Sequence, residues 1–236
     1  MLLFLLFGIY LPLFGQGVAD TSFRQKAIEN LIGLYRTSIG LQAGLYNGPL
    51  YEPYTRQFVS GHQFFNIDSS TKGSVTYDGL GYYNIPMRYD IVRDELIIRH
   101  PNGFPVNLIK QKLDSFTLFD EHFVKIENIK GAGGLDSIGY YHQLYSSPSI
   151  SFLARRRKFM QEVTGRTSIE TTIYSRDFYY ILKDGNYYPI KNKKALLEIL
   201  KDKKSETQQY IKRNRLRFKQ FEEDVLETVS YYDQLN

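Results

Sequence analysis

The chain has 236 residues, with 30 lysines and arginines against 25 aspartates and glutamates, which gives a formal net charge of +5. Hydrophobic residues make up 42% and charged residues 23%, a balance that excludes a disordered chain. The cysteine count is zero, which excludes disulfides, thiolate metal sites, cysteine nucleophiles and a lipid-modified cysteine.

The first segment has the pattern of a secretion signal. Residues 2–14 read LLFLLFGIYLPLF, an apolar run as long as the core of a signal peptide and short for a membrane span. Small residues follow, so we predict a signal peptide over residues 1–15, cleaved near Gly15–Gln16. No lysine or arginine precedes Arg24. An uncleaved anchor or a buried N-terminal helix is therefore the alternative.

Residues 16–130 are predicted to form a helix followed by an antiparallel β region. A capping-box pattern at Ser22 starts the helix. From about residue 45 to 129, short runs rich in Tyr, Phe, Val and Ile alternate with turn signals, which predicts hairpins rather than βαβ units. The clearest hairpin joins residues 94–100 to 104–110. The turn signals are Asp78–Gly79, Arg93–Asp94, Pro101–Gly103 and Asp120–Glu121.

A glycine-rich break at residues 131–138 is the predicted internal boundary, and the β region continues over residues 139–191. Its strand-like runs are 139–145, 150–163, 168–174 and a hairpin of 178–183 with 186–190 around Asp184–Gly185. Residues 192–236 form a charged helical tail, since apolar residues recur at spacings of three and four. We predict an α+β protein, mainly an antiparallel β meander, sandwich or half-barrel, with an N-terminal helix and a C-terminal helical segment packed against or beside the sheet.

The net charge is concentrated in the tail. Residues 191–219 contain 11 basic and three acidic side chains, a balance of +8, while residues 220–236 contain five acidic and no basic ones. This basic segment predicts a surface that docks an anionic envelope component, an acidic protein or a membrane surface. Nucleic acid is not expected as the partner of an exported protein. The candidate binding residues are Lys193, Lys194, Lys203, Lys204, Lys212, Arg213, Arg215, Arg217 and Lys219.

The alternative interpretation of the basic segment is a solvated helix face whose charge is neutralised by the acidic end of the same tail. A second basic run, residues 155–158, lies in a strand-like segment. Basic side chains on both faces of a strand predict an edge strand protected by charge.

No pattern predicts catalysis. The histidines His62, His100, His122 and His142 lack metal-ligand spacing, and no nucleophile elbow or phosphate-binding glycine loop is present. We therefore expect no metal and no cofactor. Tyrosine doublets such as Tyr140–Tyr141 are predicted to place one ring inward and one outward. They favour either cross-strand packing or an aromatic surface for a sugar or peptide.

Three stretches of the chain resemble uncharacterised exported proteins of Bacteroidota. They are residues 46–54 (YNGPLYEPY), residues 73–98 (GSVTYDGLGYYNIPMRYDIVRDELII) and residues 179–232, which include YYPIKNKKALLEIL and YIKRNRLRF. The resemblance implies a Gram-negative cell envelope and supports cleavage before Gln16. It brings no known activity, so it assigns no functional residue.

These observations lead to one main hypothesis and two alternatives. The main hypothesis is a non-catalytic exported protein of the periplasm or envelope that binds an acidic partner or membrane surface through the basic segment. The first alternative is a secreted hydrolase or carbohydrate-processing enzyme with an aromatic-lined cleft in the β region. The second alternative is a structural subunit of an envelope complex.

Overall fold

The computed structural model describes residues 44–55, 58–127, 138–164 and 169–235, together with residues 24, 26–28, 30 and 31. The chain divides into two units, residues 1–43 and residues 44–236. In the first unit the described residues are helical, in agreement with the helix predicted near Ser22. The predicted signal peptide and most of the glycine-rich break lie outside the described residues.

The second unit contains eleven strands and three α-helices among its described residues. The strands are β1 (Phe58–Ser60), β2 (Thr71–Tyr77), β3 (Leu80–Asp90), β4 (Glu95–Arg99), β5 (Pro105–Asn107), β6 (Leu113–Leu118), β7 (Glu121–Glu127), β8 (Ile138–Ser146), β9 (Ile150–Thr164), β10 (Ile169–Lys183) and β11 (Asn186–Ile190). The helices are α1 (Lys193–Ile199), α2 (Lys204–Arg213) and α3 (Phe221–Asp233), and two 3₁₀ turns cover Gly44–Tyr46 and Lys201–Lys203.

The strands form one large mixed sheet in the order β1-β10-β9-β8-β7-β6-β2-β3-β4-β5, with β11 also beside β10. β1 runs parallel to β10, whereas the other ladders between described strands are antiparallel. Over the described residues the sheet is open, because no ladder joins β5 to the strands at the opposite edge. A mostly β chain with a few helices is consistent with the predicted α+β class.

The predicted hairpin turns are present because their sequences suit a left-handed backbone. Asp78 and Gly79 between β2 and β3 have φ of 54° and 73°, and Asp184 and Gly185 between β10 and β11 have φ of 51° and 70°. Positive φ at both central residues matches the right-handed twist of the flanking strands. The hairpin predicted from residues 94–110 is confirmed as the β4–β5 pair.

One strand is longer than predicted. The runs 168–174 and 178–183 belong to a single strand, β10, which pairs with β9 from Ile169 opposite Thr164 to Lys183 opposite Ile150. The polar residues in the middle of β10 do not end the strand, because they lie opposite the basic residues 155–158 of β9. Asp177 lies opposite Arg156, and the Arg156 Nη1 donates to its carboxylate at 2.7 Å.

The helical tail packs on the sheet through a mixed core. The strands contribute Ile150, Phe152, Ile181 and Ile190, and the helices contribute Leu196, Leu200, Val225, Val229 and Tyr232. Asn192 caps α1 by accepting a hydrogen bond from the Ala195 backbone N–H at 2.9 Å. The second helix, α2, begins at Lys204, directly after the 3₁₀ turn.

The tyrosine doublet on β8 also departs from the prediction. Tyr140 and Tyr141 are each 1% exposed, so neither ring faces water. Tyr140 packs edge-on against Phe116 at 5.3 Å, and Tyr141 packs against Tyr180 at 5.6 Å. β8 is therefore covered on both faces, which alternation along one strand cannot reveal.

The sheet bends strongly enough to bring together strands that are not neighbours. In the sheet order, β8, β7, β6 and β2 separate β9 from β3. Nevertheless the Lys158 backbone N–H donates to the Ile91 carbonyl at 3.1 Å, and the Lys158 Nζ donates to the carbonyls of His62 and Phe64 at 2.9 and 2.5 Å. The turn after β3 therefore rests on the second half of β9.

This contact explains the basic run of β9. The pairing of β8 with β9 ends at Ala154, so residues 155–158 of β9 have no partner strand on that side. Their charged groups are nevertheless not directed to water. Arg155 is 1% exposed, and its guanidinium lies over Gly139, where a Cβ would come within 3.0 Å of the Arg155 Nη2. Its Nη2 lies 3.6 Å from the buried carboxylate of Asp94, which also accepts hydrogen bonds from Tyr89 at 2.5 Å and Lys110 at 2.7 Å. The predicted protective role of this run is therefore wrong.

Candidate functional site

Four of the nine predicted binding residues line one groove of about 590 Å³, which we call the basic groove. Its lining residues are Lys193, Gln208, Ile211, Lys212, Arg215, Leu216 and Arg217. Four of these carry a positive charge and none carries a negative one. Lys212, Arg215 and Arg217 are exposed, and Lys193 is half-buried.

Two helices bring the walls of the basic groove together. Lys193 is the first residue of α1, and its Nζ lies 5.8 Å from the centre of the Phe218 ring. On α2, Gln208, Ile211 and Lys212 are spaced three and four residues apart, which places them on one helical face. Ile211 is 1% exposed and joins this face to the core, so the groove has a fixed apolar floor.

The turn after α2 supplies the two arginines and has an unusual backbone. The Leu216 N–H donates to the Ile211 carbonyl at 3.0 Å, and the Arg215 N–H donates to the Lys212 carbonyl at 3.2 Å. These two bonds form a Schellman motif, in which the residue in the position of Arg215 is usually glycine. Arg215 has φ of 57°, a left-handed conformation that costs an ordinary side chain about 1 kcal/mol or more. A strained backbone that carries a charged side chain into a groove is typical of a functional position.

We expect Arg215→Gly to stabilise the protein although it removes one of the four cations that line the basic groove. Glycine adopts positive φ freely, so the free energy of unfolding should rise by about 1 kcal/mol in urea titrations. Arg215→Ala is the matched control, because it also removes the guanidinium but keeps a side chain at the strained position. The interpretation of Arg215 is wrong if the glycine variant gains no stability over the alanine variant.

The other five predicted residues do not line the basic groove. Lys204 forms an ion pair with Glu198 at 2.8 Å. Lys194, Arg213 and Lys219 are exposed elsewhere on the tail, and Lys203 is half-buried. The sequence therefore identified the basic segment of the chain. The packing of α1, α2 and the following turn determines which of its basic residues line the basic groove.

The acidic end of the tail does not neutralise the basic groove. Glu222 pairs instead with Arg156 of β9 through two hydrogen bonds of 2.7 and 2.9 Å. The Asp233 carboxylate accepts from Tyr145 at 2.7 Å, from Ser147 at 2.9 Å and from Ser149. Over the part of the chain that the structure describes, no ion pair joins residues 220–235 to residues 191–219. The interpretation as a self-neutralised helix face is therefore not supported.

A second groove, of about 470 Å³, lies along α3 and has the opposite character; we call it the acidic groove. It is lined by Tyr145, Tyr210, Glu223, Leu226, Glu227, Ser230, Tyr231 and Gln234. The Tyr210 and Tyr231 rings stack 3.9 Å apart, and the Tyr210 hydroxyl donates to Glu227 at 2.9 Å. Sequence reasoning placed an aromatic cleft in the β region and missed this groove. The four-residue spacing of Glu223, Glu227 and Tyr231 is the signal that could have found it.

A histidine and a carboxylate also meet, under the start of α3. The His142 Nδ1 lies 3.1 Å from Glu121 and 3.0 Å from the Arg156 Nη2. Burial and the adjacent Arg156 lower the pKa of His142 to about 4, so the imidazole is neutral at pH 7 and its Nδ1 accepts from the guanidinium. Burial raises the pKa of Glu121. Neither the basic groove nor the acidic groove includes His142 or Glu121 among its lining residues.

Comparison of the chain with protein-family models, with curated proteins and with solved structures found no match in any of the three. Within the described residues, no helix is both long enough and apolar enough to span a membrane. The same residues do not assemble three histidine, aspartate or glutamate side chains in a way that could hold a metal ion.

Proposed function

We propose that the protein is a non-catalytic, exported cell-envelope protein that binds an anionic partner through the basic groove. The observation that carries this proposal is the convergence of Lys193, Lys212, Arg215 and Arg217 on one concave surface that no acidic side chain lines. Cations gathered in a concavity raise the local concentration of anions and speed their association.

The rest of the fold acts as the support of this groove. We infer that the bent sheet is a half-barrel on which the helical tail is fixed, through its apolar core and through the Arg156–Glu222 pair. Glu222 and Asp233 bond to the sheet and to the β8–β9 connection, and no acidic side chain lines the basic groove, so its positive field extends into solvent. This arrangement favours binding that weakens as salt screens the charges.

Simultaneous replacement of Lys193, Lys212, Arg215 and Arg217 by glutamine should weaken association with vesicles of an anionic phospholipid about tenfold or more at low ionic strength. The measurement is co-sedimentation of the mature chain with the vesicles over a series of salt concentrations. Wild-type binding should fall as salt increases, because the interaction is between exposed charges.

The matched control removes four exposed cations that lie outside the basic groove. Replacement of Lys72, Arg99, Arg176 and Lys201 by glutamine changes the net charge by the same amount. This control should retain most of the wild-type binding. Equal loss in both variants would indicate attraction by net charge alone, and no loss in the groove variant would contradict the proposal.

The acidic groove favours a second candidate function, a secreted carbohydrate-processing enzyme. Tyrosine rings suit the apolar face of a sugar, and two carboxylates are the usual catalytic groups of glycoside hydrolysis. Glu223→Gln and Glu227→Gln would each abolish the release of nitrophenol from a panel of nitrophenyl glycosides. Absence of any release by the wild-type protein would remove this candidate.

A further inference from the structure

The lining of the basic groove combines three kinds of chemistry. Two guanidinium groups and two ammonium groups provide charge, Gln208 provides a neutral amide, and Ile211 with Leu216 provides an apolar floor. A volume of about 590 Å³ is within the range of sites for small molecules. We propose that the basic groove binds a small ligand that carries two phosphate groups. This inference rests on the proposed function and specifies the anion.

The charge of the groove selects phosphate over carboxylate. A phosphate monoester carries about −1.5 to −2 at pH 7, so two of them carry roughly −3 to −4 and balance the four cations. A carboxylate carries only one charge, so four carboxylates would be needed to balance the same four cations. No acidic residue lines the groove to offset the remaining positive charge.

The types of the four cationic side chains, and the elements that carry them, also favour a ligand with two phosphate groups. Arginine presents a planar fork of donors that fits phosphate oxygens, and lysine acts as a point charge. The two arginines come from the turn after α2, whereas Lys193 comes from α1 and Lys212 from α2. The lining therefore holds two guanidinium and two ammonium groups, one of each for every phosphate. The positive φ of Arg215 is the cost of placing one of these guanidinium groups.

The uncharged lining residues fit the scaffold that joins the two phosphates. Gln208 can donate to and accept from an alcohol hydroxyl group, which an inorganic diphosphate does not have. The floor of Ile211 and Leu216 suits carbon-bound hydrogens. A phosphorylated polyol or sugar uses all three kinds of lining residue, whereas a bare polyphosphate uses the cations alone.

Isothermal titration calorimetry with fructose 1,6-bisphosphate, glucose 6-phosphate and inorganic pyrophosphate tests the inference. The bisphosphate should bind at least about tenfold more tightly than the monophosphate, because it engages twice as many cations. Arg217→Gln should weaken bisphosphate binding severalfold. Gln208→Ala should weaken binding of the bisphosphate and leave pyrophosphate unchanged. The variant of Lys72, Arg99, Arg176 and Lys201 should bind all three ligands as the wild type does.

The outcomes separate this inference from the proposed function. Equal affinity for bisphosphate and monophosphate, with vesicle binding still lost in the groove variant, would overturn the bisphosphate ligand and leave the proposed function standing. Vesicle binding that the groove substitutions do not reduce would overturn the proposed function itself. Competition by fructose 1,6-bisphosphate against vesicles would show that a soluble bisphosphate and a lipid headgroup occupy the same groove, and failure to compete would overturn the assignment to this groove.

Discussion

Replacement of Asp94 by asparagine is expected to lower the free energy of unfolding by about 3 kcal/mol. Asp94 is 2% exposed and is the carboxylate that faces both Arg155 and Lys110. Asparagine keeps the shape of the side chain and tolerates the φ of 62° at this turn position, so the change removes charge and little else. The buried Arg155 would lose the charge of Asp94, and removal of one charge from a buried ion pair is strongly destabilising.

Asp78→Asn is the matched control for this prediction. Asp78 also occupies a hairpin turn with positive φ, at 54°, and also pairs with a lysine, Lys112, at 3.0 Å. Both partners are well exposed there, so the same substitution should cost well under 1 kcal/mol. Urea denaturation of the two variants gives the comparison. Similar losses in both would contradict the view that burial of Arg155 makes Asp94 indispensable.

Lowering the pH from 6.5 to about 4 is expected to remove on the order of 2–3 kcal/mol of stability through His142 alone. The unfolded chain takes up a proton at the ordinary pKa of 6.5, whereas the folded protein holds that pKa at about 4. In this interval the unfolded state binds more protons, so the free energy of unfolding falls as the pH falls. His142 is half-buried next to Arg156, whose positive charge opposes protonation.

His142→Gln separates this contribution from the other groups of the cluster. Glutamine can still accept a hydrogen bond from Arg156, and the carboxylates of Glu121 and Glu222 are present in both proteins. The variant should lose less stability than the wild type between pH 6.5 and 4 in urea titrations. Identical curves for wild type and the His142 variant would sink the prediction.

Local sequence signals predicted those parts of the fold that depend on local backbone preference. The turns at Asp78–Gly79 and Asp184–Gly185 require positive φ, which few residues adopt easily, and the apolar spacing of the tail requires helices. No local sequence pattern indicates the bend of the sheet. This bend brings β9 to the turn after β3, and therefore decides that Arg155 is buried and that Tyr140 and Tyr141 both lie inside.

The sequence predicted which segment of the chain contains the candidate site, but not which of its side chains lie together. A count of charges along the chain identifies residues 191–219, because charge density is a local property. It does not distinguish Lys193, which lines the basic groove, from its neighbour Lys194, which does not. That distinction depends on how α1 lies against α2 and on the left-handed residue Arg215, and both follow from packing against the sheet.

The attachment of α3 at both ends has a consequence for the entropy of binding. Glu222 holds the first turn of the helix to Arg156, and Asp233 holds its last turn to the strand connection that contains Ser147 and Ser149. The turn that carries the two groove arginines therefore runs between a packed α2 and a fixed α3. A short connection between fixed ends has few conformations to lose when a ligand orders it, so more of the attraction between the charges remains as affinity.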